Sequence, residues 1–520
     1  MAGFRLGIDV GGTNTDAVIL DDKNRVVAKC KRQTTPDVST GIKNAVTDVL
    51  EESAVEPSLI GDAMLGTTHA TNAIVERKGL SRVGVIRVGA PSGFAIPPLT
   101  DWPPDLVATI GSAFAIVKGG YEYNGAILSK MDEAEILSAL KKLKDSGIES
   151  LAVSGVFSPV SGAQEEEVAK LAATVFGADF PVTLSHKIGS IGLLERENAA
   201  VLNAAIRKLA NNAYSSFKTV LRSFGVSADL FITQNDGTLM SIDYAREYPV
   251  LTIASGPTNS LRGAAFLSGL QEAIVIDVGG TTTDVGVLTK GFPRESSSSA
   301  TIGGVRTNFR MPDLVSIGLG GGSYVESEST PVAVGPSSSG YRITEEALVF
   351  GGKRLTATDI AVAAGTATIG DVSKVAGLSK RVVEETLQRI RATVEEVVDK
   401  MKTSADDIPI VTVGGGSILI PARLQGASNV VKPAHFEVAN AIGAAIAQVS
   451  GSVDGVYDVA TRGRDAVVED VKRAAVEEAV RAGADISTVE VIELEEIPLA
   501  YLPSNAVRFR VKAVGNLARR

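Results

Sequence analysis

Cysteine is nearly absent. Cys30 is the only one, so no disulfide can close within the chain, and three histidines cannot by themselves furnish a zinc site of the usual Cys/His kind. Long apolar runs are missing as well: the best stretch, Val438 to Val449, is broken by Asn440 and Gln448, and a membrane span needs about 18 or more apolar residues. Basic charge is in deficit. A net charge of -9 argues against sequence-independent nucleic-acid binding, which needs cationic surface to displace counterions. The opening residues, Met1 to Val10, read as a short strand entering a glycine turn rather than a basic region followed by an apolar one, so no export signal is expected. These absences lead to the expectation of a cytoplasmic protein with neither nucleic acid nor membrane as partner.

Glycine, by contrast, is abundant, with 53 residues, and a chain of 520 residues is long enough for roughly three structural units. A search for repeats finds one. IDVGGTNTDAVIL at Ile8 to Leu20 returns as IDVGGTTTDVGVL at Ile276 to Leu288, identical at nine of thirteen positions. Each copy has an apolar strand, an aspartate, a Gly-Gly turn, threonines, a second aspartate and another apolar strand. That grammar predicts a hairpin with a glycine tip. Gly11, Gly12, Gly279 and Gly280 let backbone N–H groups approach a phosphate, with Thr13, Asn14, Thr15, Thr281, Thr282 and Thr283 as further donors. Asp9 and Asp277, at strand ends, are placed to face a phosphate-bound Mg²⁺ through water. Asp16 and Asp284 are open to two readings, orienting their own loops or facing an acceptor. Neither loop matches GxxxxGK[ST] or GxGxxG, which sets the Walker and dinucleotide folds aside.

A third glycine element follows. IPIVTVGGGSIL at Ile408 to Leu419 is a β-branched strand ending in Gly414, Gly415 and Gly416, after an amphipathic helix near Lys380 to Thr403. It resembles the element of actin-like ATPases on which adenosine lies against bare backbone. The order phosphate loop, phosphate loop, adenosine loop points to that superfamily and to ATP. Nearly the whole chain resembles the hydantoinase A and 5-oxoprolinase family within it. The strings that carry the likeness are GTTHATNAIVERKG at Gly66, LSHKIGSIGLLERENAAVLNA at Leu184, QNDGTLMS at Gln234, SGPTNSLRGA at Ser255, SIGLGGGS after Asp313, VANAIGAA at Val438 and EEIPLAYLP near the C-terminus. Two departures stand out: His69 occupies a place where many members carry an apolar residue, and SGPTNS replaces a glycine-rich SGPAGG.

The resemblance implies an α/β fold of two actin-like, ribonuclease H-like ATPase halves around a nucleotide cleft. It also implies Mg-ATP-dependent hydrolysis of a cyclic amide such as a hydantoin, 5-oxoproline or another lactam, through phosphorylation of the amide oxygen. In such proteins a second large portion, in the same chain or a separate B-type subunit, is associated with ring opening; this sequence corresponds to the A part, so a B-type partner subunit is expected. His69 is then a candidate base. Thr67, Thr68, Asn259 and Arg262 are candidate substrate contacts. Arg306, Arg310 and Asp313, on the stretch before Gly320 to Gly322, are either charge-stabilising groups or ordinary loop residues. Two other readings stay open: a small-molecule kinase on the same clamp, and a nucleotide-driven activator subunit. Whether the chain forms a homo-oligomer also stays open.

Boundaries are expected at 1–185 for the first half, 186–455 for the second half with the second phosphate loop and the adenosine loop, and 456–520 for a small α+β appendage. The Pro-rich piece 91–104 reads as an insertion. The serine run within 295–300 and the Ser/Pro/Gly-rich 326–340 read as mobile loops.

Overall fold

Side-chain alternation decides the faces of the first hairpin. In the computed structural model, which describes residues 3–35, 38–296, 300–308, 311–329, 331–499 and 506–518, β1 (Phe4–Val10), β2 (Asn14–Leu20) and β3 (Val26–Gln33) form an antiparallel meander. Leu6, Ile8, Val10, Ala17 and Ile19 all point to one face and pack with Ile42, Val46 and Val49 of α1 (Val38–Ser53). With a period of two, Asp9, Asp16, Val18 and Leu20 must occupy the other face. β4 (Ile60–Thr67) then runs parallel to β1 and leads directly into α2 (His69–Glu76).

An inserted sheet follows. β5 (Val83–Ala90), β6 (Phe114–Lys118), β7 (Ser150–Gly155) and β8 (Val182–Leu184) are all parallel, in the order β6-β5-β7-β8. β5 and β7 are buried along their whole length, as expected of parallel strands covered on both sides. The helix α3 (Leu193–Ser223) ties this insertion to the rest. Its first turns bury a charge pair: Glu197 takes 2.8 and 2.5 Å hydrogen bonds from Arg87 of β5 and a 2.6 Å bond from Ser154 of β7. The Pro-rich piece joins the insertion through a short helix, Pro104–Ile110, with Trp102 buried beside it.

β9 (Asp229–Thr233) returns to the first sheet parallel to β4, and β10 (Thr238–Ser241) pairs with it. After α4 (Ser255–Ser268) the pattern repeats. β11 (Ala273–Val278), β12 (Thr283–Thr289) and β13 (Phe292–Pro293) form a second meander. The helix α5 (Lys380–Met401), buried at Val382, Thr386, Ile390, Val394 and Val398 on one stripe, leads to β14 (Ile408–Val413), parallel to β11, and then to β15 (Ala427–Val431). The two sheets therefore share one order, β3-β2-β1-β4-β9 and β13-β12-β11-β14-β15: third, second, first, fourth, fifth. This is the ribonuclease H-like arrangement expected of the two halves.

Between the halves lie α4 and α6 (Ala439–Ile446). Val18 and Leu20 pack on Ala441, Ile442 and Ala445 of α6, while Leu261 and Ala264 of α4 pack on Val275 and Val411. Glycine makes the contact possible. A Cβ on Gly263 would lie 1.9 Å from the Ala439 carbonyl oxygen, and one on Gly443 would lie 1.8 Å from that of Asn259.

The last segment, β16 (Gln448–Asp458), α7 (Arg464–Arg481), β17 (Glu490–Pro498) and β18 (Ala506–Gly515), is α+β in content. It is built onto the first sheet as its edge, in the order β17-β18-β16-β10, giving nine strands in all. Sheet membership thus does not follow single cuts at 185 and 455: β9 and β10 belong to the first sheet because β9 pairs with β4. The stretch 326–340, expected as a loop, contains the strand Ala333–Ser338, which pairs with Ser323–Glu326; two-stranded ribbons of Ser, Gly and Pro carry little strand signal. Ser297 to Ser299 and Arg310 lie outside the described residues. No helix among the described residues is long and apolar enough to cross a membrane.

Candidate functional site

The two repeated hairpins turn in the same way. Gly11 N–H donates to the Asn14 carbonyl and Gly279 N–H to the Thr282 carbonyl, both at 2.9 Å. In the ladders Asp9 stands opposite Asp16, and Asp277 opposite Asp284. The tips meet: the hydroxyl oxygens of Thr13 and Thr281 are 3.5 Å apart. Around them opens a cavity of about 750 Å³ lined by all four aspartates, by Gly11, Gly12, Thr13 and Asn14, by Gly279, Gly280, Thr281 and Thr282, and by Gly414, Gly415 and Gly416. Thr68 lines it too, and Tyr341, Ile343, Phe350, Ile369 and Ile418 give it an apolar wall.

Bare backbone shapes this cavity. A Cβ on Gly280 would sit 2.8 Å from Thr13 Cγ2, and one on Gly416 would sit 2.7 Å from the Gly279 carbonyl oxygen. Gly414 adopts φ +82, open to glycine at little cost, and its N–H donates to the Phe436 carbonyl at 2.9 Å. Gly320 to Gly322 serve the second hairpin from outside: the N–H groups of Gly321 and Gly322 donate to the carbonyls of Gly279 and Gly280 at 3.0 and 2.7 Å.

The carboxylates are held from the central helices. Asn259 of α4 and Asn440 of α6 donate to the two oxygens of Asp9 at 3.1 and 3.0 Å. Burial nevertheless pushes Asp9 up to about 6, the asparagine bonds offsetting part of the effect and the charges of Asp16 and Asp277 adding to it. Burial also raises Asp277, against a hydrogen bond from Ser260 of α4. Asp284 rises to about 6 through burial, opposed by a hydrogen bond from Ser316. Asp16 is raised by burial although Lys31 of β3, directly across the ladder, donates to it at 2.6 Å.

Several candidates lie elsewhere. Thr15 and Thr283 alternate to the opposite faces of their strands, where Thr15 meets Thr34 at 3.3 Å and Thr283 donates to the Leu319 carbonyl at 2.6 Å. Thr67 and His69 line an adjoining cavity; burial lowers the His69 pKa. Asn259 stands behind Asp9 rather than in the cavity wall. Arg262 turns away from the cleft: its guanidinium lies 3.8 Å over the Phe292 ring and donates to the Gly291 carbonyl. Arg306 is a surface residue 3.4 Å from Glu195, and Asp313 accepts two hydrogen bonds from Arg294. Residues that the sequence reading did not single out, Lys31, Ser260 and Asn440, do reach the site. Asn440 and Ser260 sat inside quoted strings, whereas nothing in its local pattern marked Lys31.

The donor set fits Mg-ATP. The described residues hold no cluster of three or more His, Cys, Asp or Glu side chains suited to a metal. Two carboxylates, Asp9 and Asp277, flank a glycine-lined cavity. That is the provision expected where Mg²⁺ is shared with a polyphosphate and water rather than caged by protein.

Comparison with known proteins finds a family match in each half of the chain. Residues 5–176 match the hydantoinase/oxoprolinase N-terminal region, and residues 196–371 match hydantoinase/oxoprolinase. The acetophenone carboxylase gamma subunit of Aromatoleum aromaticum is 29% identical over 395 residues, 69% of this chain and 53% of its own length. Caprolactamase subunit alpha of Pseudomonas jessenii is 24% identical over 461 residues, 85% of this chain and 65% of its own. The chain thus spans between about half and two thirds of the length of these curated relatives. In fold, it matches the crystal structure of ATP-dependent caprolactamase from P. jessenii with a TM-score of 0.79 at 18% identity, covering 99% of this chain and 88% of that one. Nucleotide-free acetone carboxylase gives 0.70 at 17% identity, with the same coverage of 99% and 88%. The two matched regions together span more than half of the chain, which belongs to the hydantoinase/oxoprolinase family.

Proposed function

We propose that the chain carries out the ATP-dependent activation of a cyclic amide, the step that prepares a hydantoin, 5-oxoproline or related lactam for ring opening. The observation that carries this reading is the tip-to-tip meeting of two like hairpins, at Thr13 and Thr281, over a cavity flanked by Asp9 and Asp277. An amide is a poor electrophile because its nitrogen donates into the carbonyl. ATP supplies the phosphoryl group that turns the amide oxygen into a leaving group.

The chain's own part is positioning and charge balance. Backbone N–H groups at Gly11, Gly12, Gly279 and Gly280, with the hydroxyls of Thr13, Thr281 and Thr282, take the β- and γ-phosphates. Asp9 and Asp277 hold Mg²⁺ and its water, and Gly414 to Gly416 with the apolar wall take the adenosine. Lys31, already bound to Asp16, brings a cation to the same cavity. Ring opening falls to a B-type partner subunit, and the setting is the cytoplasm. The alpha subunit of caprolactamase and the 5-oxoprolinases among the relatives support the cyclic-amide reading.

A second reading rests on the acetophenone carboxylase relative: a ketone, whose carbonyl oxygen is also a phosphoryl acceptor once enolised, in place of the lactam. The test is ADP release from Mg-ATP by the purified chain against hydantoin, 5-oxoproline, caprolactam, acetophenone and glucose, with mass spectrometry of the products. Stimulation by a ring supports the first reading. Stimulation by the ketone alone replaces it with the second, and a stable phosphosugar would turn the chain into a kinase.

A further inference from the structure

Beside the nucleotide cavity lies another of about 440 Å³, within the span typical of small-molecule sites, roughly 300–1,000 Å³. Gly11, Gly12, Thr68 and Asn72 line both. The two cavities therefore adjoin at these four residues, beside the tip of the first hairpin. Gly12 leaves the junction open: a Cβ built on it would meet nothing within 4 Å. The tip is braced from this side, since Thr34 donates through its hydroxyl to the Gly11 carbonyl at 2.8 Å and through its N–H to the Thr13 carbonyl at 2.9 Å.

The lining selects by chemistry. Thr34, Thr67, Thr68 and Asn72 offer neutral hydrogen-bonding groups, and Val10, Ala73 and Leu209 offer apolar surface. Glu76 and Lys78 form an ion pair at 3.1 Å with both side chains largely exposed. His69 completes the wall with an imidazole that burial drives toward the uncharged form. Apart from that exposed pair the lining is uncharged, with His69 driven toward its neutral form. A small uncharged molecule with a carbonyl and an N–H is the complement.

We propose that this cavity is the acceptor site, binding the cyclic amide with its carbonyl oxygen toward the Gly11–Gly12 tip and its ring N–H toward His69. The assignment rests on the cyclic-amide reading above. In the step it serves, the amide oxygen forms a bond to the γ-phosphorus as the bond from that phosphorus to the β,γ-bridging oxygen breaks. ADP leaves with the electron pair, and the ring N–H proton passes to His69, so that a C=N bond replaces the amide C=O. Uncharged imidazole is the form that can take this proton.

The test fills the cavity from two separate elements. Ala73→Phe on α2 and Leu209→Trp on α3 alter residues that line this cavity and not the nucleotide cavity. ATP affinity, by titration calorimetry, is expected to stay within about twofold in both, which also reports that they fold. Basal ADP release, in which water takes the acceptor's place, and its stimulation by hydantoin or 2-pyrrolidinone are each expected to fall at least about tenfold, the scale of effect when a reactant is displaced from its near-attack position. His69→Gln should lower kcat with the ring by about a hundredfold and KM little, the range for loss of a general base. Filled variants that keep both basal release and ring stimulation would overturn the site while leaving the proposed function standing. Loss of basal release in the filled variants, combined with no response to any ring in the wild type, would overturn the ring assignment and the cyclic-amide reading together.

Discussion

Thr13 and Thr281 hold equivalent places in the two copies of the repeated hairpin, and their hydroxyls approach to 3.5 Å across 268 residues of sequence. Two equivalent donors at one point suit a ligand shared between halves. Thr13→Val and Thr281→Val are each expected to weaken Mg-ATP binding by roughly 10- to 100-fold, the loss of about 1.5–3 kcal/mol for a hydrogen bond to a charged group. Calorimetric titration of both single variants and the double variant checks this. Because the two side chains touch and serve one ligand, the double variant should fall short of the summed effect.

Asp9 sets a pH dependence. Its pKa rises from 3.8 to about 6 on folding. A carboxyl raised in the folded state favours folding while protonated, so this contribution is complete below 3.8 and is lost as pH climbs through about 6. Above that, the ionised group costs the nucleotide-free protein about 3 kcal/mol at 1.36 kcal/mol per unit. Asp9→Asn should therefore be more stable than the wild type to urea at pH 8, by about 1–3 kcal/mol, with the gap closing toward pH 4. Asn259, whose own Oδ1 has no partner, can turn to receive the new N–H. The same variant should lose ATP turnover, and Mg-ATP affinity of the wild type should weaken as pH falls from 7.5 to 5.

How far the sequence led can be judged from particular residues. The hairpins were legible because nine identities in thirteen report a duplicated backbone, and alternation then set Asp9 on the face opposite Leu6, Ile8 and Val10, while Asp277 shares its face with Val275, which packs under α4. Alternation also removes Thr15 and Thr283 from the cavity, a consequence available in the sequence once the aspartates were assigned to it. Asn440 could not be placed by local pattern, since it reaches Asp9 from 431 residues away through the packing of α6 on β1 and β2. The joining of β16 to β10 likewise depends on pairing between distant segments, so the C-terminal part read as an appendage gave no sign of which sheet it would extend.

Arg306 and Asp313 give a contrasting prediction. The Arg306 side chain is 67% exposed, and Asp313 is engaged by Arg294 away from the nucleotide cavity. Arg306→Ala should leave ATP turnover within about twofold, since exposed side chains away from special features contribute within about 0.5 kcal/mol. Asp313→Asn should behave alike in turnover and lose at most about 1 kcal/mol of stability, as for a partly exposed ion pair. A steady-state ADP assay and urea unfolding of the two variants decide it; a drop in kcat of tenfold or more for either would return the loop to the catalytic apparatus.

The close approach of α4 and α6 ties the site to the joint between halves. Asn259 on α4 and Asn440 on α6 both donate to Asp9, so the spacing of these two helices sets how that carboxylate is held, while Ser260 on α4 serves Asp277. That spacing depends on Gly263 and Gly443, where a Cβ would lie 1.9 and 1.8 Å from backbone carbonyl oxygens of the opposite helix. Backbone cannot move aside as a side-chain end can. Gly443→Ala is therefore expected to force the helices apart at a cost of about 1–3 kcal/mol or more, as for overpacked cores. Its signature should differ from that of a distant core substitution of equal cost, such as Val46→Ala in the packing of α1 on the first sheet. At matched stability, by denaturant titration, Gly443→Ala should lose Mg-ATP affinity at least about tenfold, because geometry at a phosphate site is sensitive to displacements near 1 Å, while Val46→Ala should not. Equal affinities in the two variants would mean that the aspartates are positioned by their own strands and that the helix spacing matters only for folding.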